Sequence, residues 1–246
     1  MIMERGIRRS CQCPRGPYSW RVRSLAELIT DDRSAWAEIE AAVSGSPCAV
    51  EILPTDPVRA ASCLQKLQVT TNSWLGSLVY LSGGLVVDEG WLRVLGSGAP
   101  EHRLPDIHTV NAGFEGAGLV VAQDIMGGEF VWRQGDSAPS PAPSGQSGQP
   151  TIHYFAPDTL RWEDLGLGYT DWLYAMLGGA LDQFYRSWRW PGWQDEVADC
   201  PLDAGLHILP PLFTKEGKEI ADSSRQPVPM TQLVSTLHDV ADQLGT

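Results

Sequence analysis

Carboxylates at strand ends are the residues in this sequence whose type and placement could do chemistry. Asp88 closes the apolar run LVV, Asp124 closes LVVAQ just before the glycines of IMGG, and Glu163-Asp164 follows Trp162; Glu89, Glu129 and Asp195-Glu196 complete the set. Two carboxyl groups facing each other across a cleft, one neutral and one ionised, carry out the acid–base work of glycoside hydrolysis. No nucleophile or cofactor motif stands beside these residues. An aspartate at a strand end also serves simply to accept hydrogen bonds from the following turn. Turn formation is the preferred reading, and a hydrolytic centre drawn from Asp88, Asp124 and Glu163 is the enzymatic alternative.

Other reactive residue types form no familiar constellation. GQSG (Gly145–Gly148) lies in a Pro/Ser/Gly stretch that cannot supply the strand–turn–helix of a nucleophile elbow. GFEGAG (Gly113–Gly118) reverses the dinucleotide spacing and precedes a strand instead of following one. The five histidines, His102, His108, His153, His207 and His238, include no HxH or HxxxH pair. His102 and His108 flank Asp106 without a third ligand, so no metal and no cofactor is expected. The five cysteines, Cys11, Cys13, Cys48, Cys63 and Cys200, have no framework spacing. Cys48 and Cys63 lie in apolar segments and are expected to be free thiols. Trp91, Trp132 and Trp162 each sit in a strand-like run, where packing on a sheet is preferred over a base-stacking platform, since platforms come with basic grooves.

The stretch RWPGWQDEV (Arg189–Val197) raises a second kind of site. Pro191 stops the helix carrying Phe184, Tyr185 and Trp188, and Gly192 lets the chain reverse. A corner pinned by its tryptophans is the main reading. If Trp190 or Trp193 were exposed beside Arg189, the three residues would mark a partner's footprint.

These residues must be held by the elements around them. Ser24 and Glu27 form a capping box for a helix beginning SLAEL, and Leu25, Leu28, Trp36, Ile39 and Val43 follow at helical spacing with an interruption near TDD. CAVEILP is a strand, after which Asp56 caps a helix with Pro57 at its first position. NSWLGSLVYL is a helix ended by Gly83-Gly84. LVVD and WLRVLG are strands, Ala99 to Gly118 is a loop, and LVVAQD pairs with EFVW across glycines suited to positive φ. Residues 136–150 read as a flexible insertion joining two neighbouring strands, the second being IHYFA. RWEDL is a short strand, and Thr170 caps a helix interrupted at Gly178-Gly179. LHILPPLF is extended, residues 214–229 are a polar connection, and a final helix turns Leu233, Leu237, Val240 and Leu244 inward. Helices, then a meander, then helices predict an α+β fold: a mostly antiparallel meander sheet packed against helices from both ends of the chain, residues 24–246 making one domain.

Charge narrows the classes of partner. The chain of 246 residues has a net charge of −12, yet residues 1–24 hold six arginines against Glu4. The remainder therefore stands at −17. Such a body repels phosphate backbones, which argues against nucleic acid, and steers towards a basic protein. Residues 1–23 read as a disordered basic leader or a start assigned too far upstream; a nucleic-acid or membrane arm is the lesser reading. The leader lacks a signal peptide's apolar stretch, and no apolar run reaches the roughly 18 residues of a membrane span. A cytoplasmic protein with no membrane association is expected.

Five ordered blocks carry a resemblance: LQVTTNSWLGSLVYLSGGLVVDEGWLRVLGSG, VVAQDIMGGEFVW, YFAPDTLRWEDLGLGYTDWLYAML, FYRSWRWPGW and SSRQPVP. Together they resemble a bacterial family known as domain of unknown function 2625, over Leu25 to Leu233. The basic leader lies outside the resemblance, and the Pro/Ser insertion replaces a shorter Gly-rich turn. More remotely, the order of glycine-ended helix, strands, D-x-x-G-G hairpin, Y-x-x-P-D-T strand and T-D-W helix is similar to the SUKH superfamily of Smi/Knr-like proteins. That similarity implies an immunity protein binding a toxin, and it carries over no catalytic residues. Three functions follow as expectations: a non-catalytic protein-binding module of immunity or antitoxin type, a hydrolase using the strand-end carboxylates, and a small-ligand sensor with an aromatic pocket.

Overall fold

The computed structural model describes residues 21–30, 34–134 and 148–245. The leader up to residue 20, with Cys11 and Cys13, and most of the insertion lie outside the described residues. Seven strands form one antiparallel sheet in sequence order, β1 (Val50–Leu53), β2 (Gly84–Val87), β3 (Leu92–Leu95), β4 (Leu119–Asp124), β5 (Glu129–Arg133), β6 (Thr151–Ala156) and β7 (Arg161–Asp164). The expected meander is therefore present. The insertion does join neighbours, since β5 pairs with β6 from Glu129↔Phe155 to Arg133↔Thr151.

Both faces of this sheet are covered, so its central strands read as continuous apolar runs rather than alternating ones. On one face lie α4 (Trp74–Leu81), α6 (Tyr169–Ala175) and α7 (Leu181–Tyr185), with Phe130 against Trp172 at 5.0 Å and Tyr154 against Phe184 at 5.0 Å. Here α4 packs on α2 (Trp36–Ser44) and α3 (Pro57–Leu67). The other face takes a two-stranded ribbon and a helix. The ribbon is β8 (Ala204–Leu209) with β9 (Ser224–Pro229), and α9 (Met230–Leu244) lies on it. There Phe155, Leu160 and Ala241 form a small second core.

The local signals at the first elements hold. Ser24 and Glu27 make the capping box of α1 (Leu25–Leu28), and Asp56 accepts from the Arg59 amide at the start of α3. Ordered contacts begin slightly before Ser24, because the Arg23 amide donates to Gln68.

Elsewhere the structure corrects the expectation. Gly168, not Thr170, is the N-cap of α6, which draws buried Tyr169 into the first turn. Ser82 closes α4, Gly83 links it to β2 and Gly84 opens that strand; a side chain on Gly83 would meet the Pro54 carbonyl at 2.6 Å. The stretch from Ala99 to Gly118 holds a 3-10 turn and α5 (Ile107–Asn111), whose cap Asp106 accepts from His108 and Thr109. Five residues are too few for a helical period to show. The polar connection before α9 contains β9, whose two prolines are tolerated because it pairs on one side only. Leu244 is 61 % exposed, one turn past the buried Ala241. The Gly178-Gly179 interruption is a π-helical segment, Met176–Ala180, with Gly179 at φ 103°.

Candidate functional site

Asp124 ends β4 as Cα partner of Leu92 and is fully buried. Its Oδ1 accepts from the amides of Met126 (2.8 Å) and Gly128 (2.9 Å). Its Oδ2 accepts from the hydroxyls of Tyr154 (2.7 Å) and Tyr185 (2.9 Å). Burial raises the carboxyl pKa and outweighs these four bonds, which pull it down. The same burial, with the carboxylate nearby, pushes both phenols well above their ordinary range. The turn's glycines have different tasks. Gly127 takes φ 86°, whereas a side chain on Gly128 would lie 2.1 Å from Asp124 Oδ2.

Asp88 and Glu89 both adopt left-handed backbone at φ 57° and 59°, which swings the chain from β2 into β3. There Asp88 pairs with Arg189, whose side chain is only 14 % exposed. Arg189 also reaches Asp182 at 3.3 Å and lies over the rings of Trp193 (4.3 Å) and Trp91 (5.3 Å). Burial raises the Asp88 pKa, with the guanidinium opposing it. Trp91 joins the two carboxylate sites. It touches Tyr185 at 5.5 Å, Trp190 at 5.6 Å and Trp193 at 5.1 Å.

Asp88 and Asp124 therefore share one aromatic cluster, bridged by Arg189, Trp91 and Tyr185. Glu163 does not join it: although its Cα faces Tyr154 across β6 and β7, its side chain is exposed. Trp190 and Trp193 are 3 % and 8 % exposed, so they are core residues and not surface anchors. Trp190 donates to Glu196 at 2.8 Å, and Arg225, which pairs with Glu196 at 3.0 Å, covers its ring at 4.5 Å. The corner reading of RWPGW holds, with α8 (Trp193–Ala198) starting directly after Gly192. Trp91 is fully buried, and Trp162 packs on Phe155 at 5.2 Å.

Two further buried polar groups lie apart from this cluster. On the ribbon face, buried Glu129 accepts from Gln123 (2.9 Å) and bonds His238 of α9 (2.9 Å). Arg93, 1 % exposed, donates to the carbonyls of Gly90 and Ala204, but its Nη2 has no partner among the described residues. A lone arginine inside the apolar run WLRVLG was the visible hint. Among the described residues no three His, Cys, Asp or Glu side chains converge as metal ligands. Likewise no helix of the described residues is long and apolar enough to cross a membrane.

Two clefts among the described residues hold open space. One, of about 500 Å³, runs beside Ala49–Glu51 and Val86 and is bounded by Glu89, His102 and the Ala198–Leu202 segment. The other, of about 470 Å³, is lined by Val69, Leu75, Trp132, Tyr169 and Asp171 among others.

No solved structure matches the chain. A protein of Escherichia coli (strain K12), the putative uncharacterized protein YbfG, is 35 % identical over 216 residues, covering 86 % of this chain and 94 % of its own. An uncharacterized protein of Haemophilus influenzae is 28 % identical over 213 residues, covering 83 % of this chain and 88 % of its own. The family model described as protein of unknown function DUF2625 matches residues 25–233, and the chain belongs to that family.

Proposed function

We propose that this protein is a non-catalytic binding module for a basic protein, of immunity or antitoxin type, acting in the cytoplasm. The observation that carries the reading is the closure of Asp124. A carboxylate offers about four acceptor positions, and two amides and two hydroxyls occupy them in a fully buried site. Every acceptor position thus faces a donor of the protein itself, and none faces a cleft that a substrate could enter. Of the other carboxylates offered for a hydrolase, Glu163 stands exposed on β7, and Asp88 is held by Arg189. The polar interior supports the fold, and the surplus negative charge is left for the surface to use. The remote similarity of element order to the SUKH superfamily supplies the immunity character.

The test is capture of the tagged full chain from its native cells at low and high salt, with mass spectrometry of the eluate. A stoichiometric basic protein released by salt is expected, because screening weakens contacts between exposed charges. No basic protein at low salt would refute the reading. A second reading, a small-ligand sensor, is favoured by the Trp132–Tyr169 cleft, where the Tyr169 hydroxyl has no partner among the described residues. A ligand-dependent rise in melting temperature across a metabolite screen would support it, and a flat screen would set it aside.

A further inference from the structure

We propose that the free edge of β1 is the docking surface, and that it takes an extended basic segment of a partner protein as an added strand. This rests on the binding-module reading above. Among the described residues the sheet ends at β1, which pairs with β2 alone. In an antiparallel ladder, residues alternate between bonding their neighbour and directing their N–H and C=O outward. The Asp88 amide donates to the Ala49 carbonyl at 2.7 Å, which makes Ala49↔Asp88 a bonded pair. Two residues on, Glu51↔Val86 is the next bonded pair. Val50 and Ile52 therefore direct their backbone groups away from the sheet. Their side chains belong to the Leu85 and Val87 face and pack against the main core. A strand laid on this edge can take up to four backbone bonds without disturbing that packing.

The occupant follows from charge. The cleft of about 500 Å³ reaches this edge at Ala49, Val50 and Glu51. Its acidic lining residues are Glu51, Glu89 and Asp199, all exposed, with His102 beside them and no lysine or arginine. Among the described residues none of the three acids has a cationic partner. The opposite edge strand, β7, mixes Arg161 with Glu163 and Asp164 and lacks this single sign. Protein edges are commonly blunted by shortness, charge, proline or a bulge; β1 has four residues and one charge, Glu51, which a basic segment complements rather than avoids. The run AVEIL has neither lysine nor proline between Ala49 and Leu53. In strand addition the backbone supplies affinity and the flanking side chains supply specificity; a segment with lysine or arginine at alternate positions meets both demands.

The probe is a short peptide of alternating Lys and Thr, added to the full chain at low salt and followed by amide NMR and hydrogen exchange. Protection of the Val50 and Ile52 amides is expected. Binding should weaken roughly tenfold in the Glu51→Lys/Glu89→Lys variant, and should vanish when alternate peptide amides are N-methylated. Both charge reversals are on exposed side chains, and the methylated peptide tests the backbone bonds without altering the protein. Absence of binding, protection at other amides, or equal binding of the methylated peptide would overturn the proposal. In the capture experiment, a basic partner held equally by wild type and the double variant overturns the edge and leaves the binding-module reading intact. No basic partner with either overturns both.

Discussion

Replacing Asp124 by Ala strands four donors in a site that water does not reach. The amides of Met126 and Gly128 lie in a tight turn and cannot turn away, while the hydroxyls of Tyr154 and Tyr185 are packed among buried rings. A buried donor left without a partner costs about 1–3 kcal/mol. Even at the low end of that range the sum is roughly 4 kcal/mol, a large share of the 5–15 kcal/mol that holds a typical domain together. Asp124→Asn keeps an acceptor for the two amides and forces only the hydroxyls to reorient, so its loss should be about 1–2 kcal/mol. Urea titration followed by tryptophan fluorescence measures both, since Trp91 touches Tyr185. The pH dependence supplies an independent check. Burial raises the folded pKa of Asp124 above its usual 3.8. The folded state thus holds the proton more tightly, and the contribution of Asp124 is full below the unfolded value and is lost as pH rises through the folded one. The stability gap between wild type and Asp124→Asn should therefore narrow as the pH climbs above the ordinary carboxylate range. An Asp124→Ala loss below about 1 kcal/mol, or a gap constant with pH, would refute the reasoning.

Three further outcomes are expected. Gly128→Ala places a carbon 2.1 Å from Asp124 Oδ2 and 2.5 Å from Tyr154 Oη, and should destabilise by about 3 kcal/mol. Gly178→Ala, with nothing within 4 Å, should be neutral or slightly stabilising in the same titration; equal losses would contradict the steric account. Arg189→Met leaves Asp88 without its cation in a buried site, lowering stability by roughly 2–3 kcal/mol. Because its removal raises the Asp88 pKa further, that deficit should grow with pH, and Asp88→Asn in the same chain should recover part of it. A deficit independent of pH would argue against the pair. The Cys63 thiol, buried and pushed up to about 11, should resist an aromatic disulfide reagent at neutral pH while half-buried Cys48 reacts. Site mapping by mass spectrometry checks this, and comparable labelling of both in the folded protein would contradict it.

Much of the architecture was legible because its causes are local. The capping box at Ser24 and Glu27, the Asp56-Pro57 helix start and the glycine hairpin after Asp124 each depend on a few adjacent residues; the helix before Pro191 ends earlier than expected, at Tyr185, and continues as a 3-10 turn to Trp188. The short elements were not, since α5 spans five residues and β9 carries two prolines, and neither shows a period. The candidate site divides along the same line. The importance of Asp88, Asp124 and Arg189 could be read from their places at strand ends and at a helix stop.

What each residue does came from partners far along the chain. Tyr185 reaches Asp124 across 61 positions, Arg189 reaches Asp88 across 101, and Arg93 reaches the Ala204 carbonyl across 111. Sequence pattern records which face a residue favours, not which distant group completes its hydrogen bonds. For the same reason a clamp stayed open beside the preferred corner reading of Trp190 and Trp193, and Arg225, Glu196 and Trp91 closing over them decide for the corner. The sequence by itself determined the order of the elements and the acidity of the body, both properties of the chain read locally or summed. Only the tertiary structure decided that Asp88 and Asp124 are buried while Glu51, Glu89 and Glu163 stay exposed, because burial is set by what the rest of the chain lays over a residue.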